Sequence, residues 1–169
     1  LFFRATNNLG AELWVTDGTV DGTRLVEDLL PGGLSGYPQW LVAMNGNAYF
    51  QAKTTVGAEH PGVLWRSDGT EAGTYPVQQP SMLASSNAWM LAATPTGALL
   101  AATNPASGQD LWLSNGTAAG TLANEVVSGT NGPIIDTTQR AELRTQTLFP
   151  LDDKSHGTEL WRTDGTAGG

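Results

Sequence analysis

Two histidines and sixteen acidic side chains are the groups in this 169-residue sequence best able to move protons or hold a cation. His60 and His156 both lie in glycine-containing connections, Glu59-His60-Pro61-Gly62 and Ser155-His156-Gly157. Neither belongs to an HExxH pair, so both read as exposed loop histidines. There is no cysteine, which removes thiol nucleophiles, disulfides and thiolate metal ligands. Gly33-Leu34-Ser35-Gly36 lacks the spacing of a nucleophile elbow. A carboxylate pair for glycoside hydrolysis is assembled in space, so the sequence leaves that route open. Asp152-Asp153 is an adjacent acidic pair and reads first as a solvated hairpin tip. Asp152 and Asp153 are also the least poor calcium ligands, although the alternating acidic spacing and terminal Glu of an EF-hand are missing. Asp17 and Asp21 supply only two carboxylates. No Gly-rich phosphate loop is present, and no cofactor other than calcium is expected. Asn115-Gly116-Thr117 has the form of an N-glycosylation acceptor. Catalysis therefore has little support.

Charge narrows the partners. Eight basic against sixteen acidic residues give a net charge of -8, which disfavours nucleic acid and anionic membrane surfaces. The longest apolar candidate, residues 88–93, is far too short to span a bilayer. The sequence opens at Leu1 without a signal segment and reads as a mature region or a fragment. With 21 Gly, 9 Pro and 14% charged residues, the composition suits short strands and tight turns better than long helices.

The elements that position these residues come from a repeat. ELWVTDGTVDGT begins at Glu12, VLWRSDGTEAGT at Val63, DLWLSNGTAAGT at Asp110 and ELWRTDGTAG at Glu159. Their tryptophans, Trp14, Trp65, Trp112 and Trp161, stand 51, 47 and 49 residues apart. A second tryptophan position, Trp40 and Trp89, opens the runs WLVAM and WMLAA. Strand-like runs precede each anchor at residues 1–5, 48–52, 98–102 and 147–151, and others follow the Gly-Thr at 24–28, 75–78 and 122–127. Each period thus holds four short strands and no amphipathic helix, so the fold class expected is all-β, a β-propeller of four-stranded antiparallel blades. About three and a half blades are counted in a single segment, 1–169. Residues 1–18 are read as the last two strands of a blade, with blades at 19–69, 70–116 and 117–169. A partial ring of this kind is part of a longer polypeptide, closes with another copy, or closes on itself.

The E-L-W-x-T-D-G-T-x-x-G-T anchor resembles the tandem ELWxxDGT, or hyalin-like, repeats of large secreted or surface-associated bacterial proteins. The likeness runs through the whole chain and is weakest at residues 134–145, where no tryptophan matches Trp40 and Trp89. It implies propeller blades, an extracellular or cell-surface location and no particular activity.

Recurrence in every period marks Trp14, Trp65, Trp112 and Trp161 as packing residues rather than sugar platforms. Alternation puts Leu13 and Val15 on one strand face and Glu12, Trp14 and Thr16 on the other. Asp17, Asp68, Asn115 and Asp164 are Asx-turn acceptors, with Gly18, Gly69, Gly116 and Gly165 at positive φ. Asn115 favours a turn role over a metal role. Gly22, Gly73 and Gly120 are expected to shape the passage from one blade into the next. The long loops at 30–39, 79–87 and 127–138, each read as joining the first and second strands of a period, are the expected recognition surface, with Tyr37 the exposed aromatic of most interest. The expected role is a non-catalytic scaffold that binds protein or glycan in adhesion. The alternatives are a purely structural matrix component and a portion of a propeller enzyme. Expected partners are further blades, another copy, or a protein or glycan ligand.

Overall fold

A computed structural model of the chain describes residues 1–56, 62–77, 89–94, 97–104, 108–117, 119–124, 134–136, 139–144, 146–164 and 166. Among them are antiparallel strands in several small sheets and no helix, so the protein is all-β. No helix among the described residues is long and apolar enough to cross a membrane. The chain divides into two compact units, Leu1–Val77 and Gln78–Gly169.

In the first unit, β1 (Phe2–Asn7), β2 (Gly10–Val15) and β3 (Arg24–Glu27) form a three-stranded sheet in that order. A four-stranded sheet follows, ordered β4 (Gln39–Met44), β5 (Asn47–Ala52), β6 (Val63–Ser67), β7 (Tyr75–Pro76). Asn45 and Gly46, with φ of 50° and 77°, make the two-residue turn from β4 to β5, the backbone twist that suits a tight hairpin. The pairing of β4 with β5 shifts register between Gln39 and Val42, and Trp40 occupies this bulge with φ of 56°. Leu13, Val26 and Leu29 from the first sheet and its outgoing chain meet Ala48, Phe50, Ala52 and Trp65 from the second. The core is therefore built between sheet faces.

The second unit repeats this plan. Its first sheet runs β11 (Thr121–Asn124), β10 (Gly108–Ser114), β9 (Gly97–Asn104), β8 (Trp89–Thr94). Residues Ala98, Leu99, Leu100, Ala101 and Ala102 are all buried, as a continuous apolar run covered on both faces requires. In the last sheet β14 (Gln146–Asp152) pairs with β15 (Thr158–Thr163) on one edge. On its other edge lie β12 (Ile134–Ile135) and β13 (Ala141–Leu143), two pieces separated by residues 136–140. Asp136 N–H donates to the Pro150 carbonyl at 3.2 Å, and Pro150, having no N–H, cannot return the second bond of a ladder pair. The alternation of buried and half-buried residues along β14 shows one covered face.

The sheets do not begin where the repeat was expected to divide. β3 pairs with β2, and β7 with β6, so the strand after each Gly-Thr closes its own sheet instead of opening the next. The expected divisions at residues 18/19 and 69/70 each cut through a hairpin. The loop at 30–39 consequently joins one sheet to another. The reason is local: the hydrogen bonds of the anchor turn return the chain at once, and a tight return makes an antiparallel neighbour.

Candidate functional site

Each anchor ends in a turn held by a small side-chain network. In the first copy, Asp17 Oδ1 accepts from Thr19 N–H at 2.9 Å and from Thr19 Oγ1 at 2.6 Å. Thr19 Oγ1 in turn accepts from Gly22 N–H at 2.9 Å, and Thr23 Oγ1 donates to the Thr19 carbonyl at 2.6 Å. Asp68, Thr70, Gly73 and Thr74 repeat the arrangement. Asn115, Thr117, Gly120 and Thr121 do so without a charge. In the fourth copy Asp164 Oδ1 accepts from both Thr166 N–H and Thr166 Oγ1; Gly165 lies outside the described residues. The threonine hydroxyl, then the backbone N–H, holds Asp17, Asp68 and Asp164 below the ordinary aspartate range. Gly18, Gly69 and Gly116 take φ of 97°, 92° and 88°.

Two features of this turn escaped the sequence reading. The residue before the Asx position, Thr16, Ser67 or Ser114, accepts from the following glycine N–H and bonds the closing threonine hydroxyl at 2.6 to 2.7 Å. Gly22, Gly73 and Gly120 are glycines for space. A Cβ there would stand 1.9 to 2.0 Å from the Asx side-chain oxygen. The signal was visible as Thr or Ser preceding every Asp or Asn. These networks are structural, and in each copy they spend the Asp or Asn oxygen that bonds the threonine on the turn itself.

Glu12 is the residue that sequence reasoning most undervalued. It is 0% exposed, and its two carboxylate oxygens accept backbone N–H bonds from Leu29 at 3.0 Å and Gly36 at 2.8 Å. Burial raises its pKa above the usual glutamate value, against the two backbone bonds that lower it. Ser35 Oγ adds a bond from Ala11 N–H at 2.9 Å, and Tyr37 N–H donates to the Ala11 carbonyl at 3.0 Å. One buried carboxylate thereby pins both ends of the loop from Leu29 to Gly36 onto β2.

That loop presents Tyr37. The side chain is 45% exposed, on a residue with φ of 49°, a left-handed conformation that costs a non-glycine residue about 1 to 3 kcal/mol and persists only when the surroundings impose it. Lys53, whose N–H donates to the Gly36 carbonyl at 2.8 Å, places its ammonium 5.3 Å above the Tyr37 ring. Leu30, Leu34, Ser35, Thr55 and Val56 complete the lining of an open pocket of about 300 Å³. It offers an aromatic ring, a cation and hydroxyl groups together. The expected loops at 79–87 and 127–138 lie outside the described residues, apart from residues 134–136 in the second, which include the β12 strand pair. His60 also lies outside them.

The acidic pair at residues 152 and 153 is the tip of the β14–β15 hairpin. Asp152 Oδ1 accepts from Lys154 N–H, and Asp153 Oδ1 accepts from Ser155 and His156 N–H. His156 Nδ1 lies 2.7 Å from Asp153 Oδ2. This contact, with the backbone bonds, lowers Asp153 to about 2, and the same carboxylate raises His156 above its ordinary value. Among the described residues, no three His, Asp or Glu side chains assemble a metal site. Trp65 and Trp112 are buried, whereas Trp14 and Trp161 are half-buried. The chain matches no family model, no curated protein and no solved structure.

Proposed function

We propose that the chain is a non-catalytic scaffold of the ELWxxDGT repeat type, extracellular or at the cell surface, whose sheets serve as propeller blades and whose Tyr37 loop binds a glycan or protein ligand. The carrying observation is the investment made in that loop. A fully buried carboxylate, a strained backbone at Tyr37 and a cation over its ring hold a half-exposed aromatic side chain in one orientation. A spacer has no need of such rigidity, and a rigid aromatic beside polar groups binds at low entropic cost. Recurrence of the anchor turns supports the blade reading, because each sheet repeats the same closure.

The test is a panel of immobilised oligosaccharides and surface proteins probed with the whole chain, its Tyr37→Ala variant and its Glu12→Ala variant. Glu12 touches no ligand in this reading and acts as a positioning residue. Binding lost in both variants, with the fold retained by circular dichroism, supports the reading. Binding unchanged in Tyr37→Ala, or none by the parent chain, returns the protein to a purely structural role.

A further inference from the structure

The repeat makes the four sheets comparable residue by residue, and at one position the described residues supply no strand. Registers Phe3↔Trp14, Phe50↔Trp65, Leu100↔Trp112 and Phe149↔Trp161 make β1, β5, β9 and β14 equivalent. On the edge away from the anchor strand, β5 carries β4, β9 carries β8, and β14 carries β12 and β13. Among the described residues no strand pairs with that edge of β1.

Hydrogen bonds show which groups the edge offers. Leu1 and Thr16 exchange both of their N–H to carbonyl bonds, at 2.7 and 2.9 Å. In an antiparallel ladder such pairs alternate, so Phe3 and Ala5 also face β2, while the N–H and carbonyl groups of Phe2, Arg4 and Thr6 point outward. Beside this edge are two openings in the same unit. One of about 370 Å³ lies between Leu1 and Phe2 on one side and Leu41, Val42 and Ala43 on the other, and its walls are mainly apolar. The next, about 420 Å³, lies between Arg4 and residues 38–41. An unpaired ladder and a trough along it have the shape of a missing strand.

We infer that the outer edge of β1 and the trough between β1 and β4 are an acceptor site for one further β-strand with the chemistry of this repeat's edge strands, a short apolar segment opening on tryptophan, as in Gln39–Met44 and Trp89–Thr94. Internal comparison selects this occupant. Tyr49, equivalent to Phe2, pairs with Val42, and Gln51, equivalent to Arg4, pairs with Gln39. A strand of that sequence placed on β1 sets its valine opposite Phe2 beside the apolar opening and its glutamine opposite Arg4. The inference rests on the repeat architecture and is independent of the Tyr37 loop.

A synthetic peptide with the sequence of residues 38–46 is the probe, added to the whole chain and followed by amide hydrogen exchange. Protection of the Phe2, Arg4 and Thr6 amides is expected, and those of Phe3 and Ala5 should change little. Arg4→Pro removes an outward N–H from the edge and should weaken binding at least about tenfold, since one ladder bond is lost and the ring obstructs the strand. The substitution is compatible with the sheet. Pro150 occupies the equivalent register in β14 and leaves its pairing with β15 intact. A peptide with aspartate in place of the leucine and valine equivalent to Leu41 and Val42 should not bind. Absence of protection at the three outward amides, equal binding by Arg4→Pro, or equal binding of the aspartate peptide would each overturn the inference. Loss of oligosaccharide or protein binding by Tyr37→Ala is read separately and leaves it untouched.

Discussion

Replacing Trp65 separates the packing value of an anchor tryptophan from the cost of its polar atom. The side chain is 5% exposed and stacked on Phe50, with ring centroids 6.2 Å apart and planes 17° from parallel. Burying about 200 Å² of indole stabilises the fold by roughly 5 kcal/mol at 25 cal/mol per Å², and the aromatic pair adds about 1 kcal/mol. Against this, the buried Nε1–H has no hydrogen-bond acceptor among the described residues, a penalty of about 1 to 3 kcal/mol. The net loss expected for Trp65→Ala is therefore about 3 to 5 kcal/mol, the range found for large aromatic truncations in cores. Trp65→Phe gives up part of the area and also discards the orphaned donor, so it should fall within about 1 kcal/mol of the parent. Urea titrations at equal slope read both values from the midpoints. A loss below about 1 kcal/mol for Trp65→Ala would refute the packing argument. A Trp65→Phe loss as large as that of alanine would show that the indole N–H finds an acceptor in solution.

Two further predictions concern the turns and the hairpin tip. Asp68→Asn should be tolerated, because Asn115 makes the same two bonds to its threonine. Gly73→Ala should be the more damaging change, its Cβ meeting Asp68 Oδ1 at 2.0 Å; thermal midpoints that rank the two the other way would contradict the network. His156 should titrate above 6.5 in the folded chain and return to the ordinary value in Asp153→Asn, as read by ring NMR signals against pH. A raised histidine pKa contributes stability that is complete below 6.5 and fades as pH rises through the folded value. Asp153, lowered to about 2 from 3.8, contributes above 3.8 and loses its part as pH falls through about 2.

Much of what repeats could be read from the sequence, though not the bonds of Thr16, Ser67 and Ser114 or the space that Gly22, Gly73 and Gly120 leave in the anchor turn. The tryptophan spacing announced the sheets, the alternating runs placed the strands, and Asp-Gly-Thr specified an Asx turn with a glycine at positive φ. These features depend on interactions a few residues apart, which residue order displays directly. Tertiary structure decided where one sheet ends and the next begins, because strand runs of similar composition can pair either way until the anchor turn closes β2 onto β3. It also decided the role of Glu12. Alternation set that residue on the face of Trp14 and Thr16, but its carboxylate is buried under amides 17 and 24 residues further along. Tyr37 drew notice as an aromatic in a polar loop, while the groups that hold it, Ala11 and Glu12 of β2 and Lys53 after β5, come from two other segments that only folding brings to the loop. A carboxylate can be recognised from its letter, but the partners that offset its desolvation are set by chain contacts that no local pattern records.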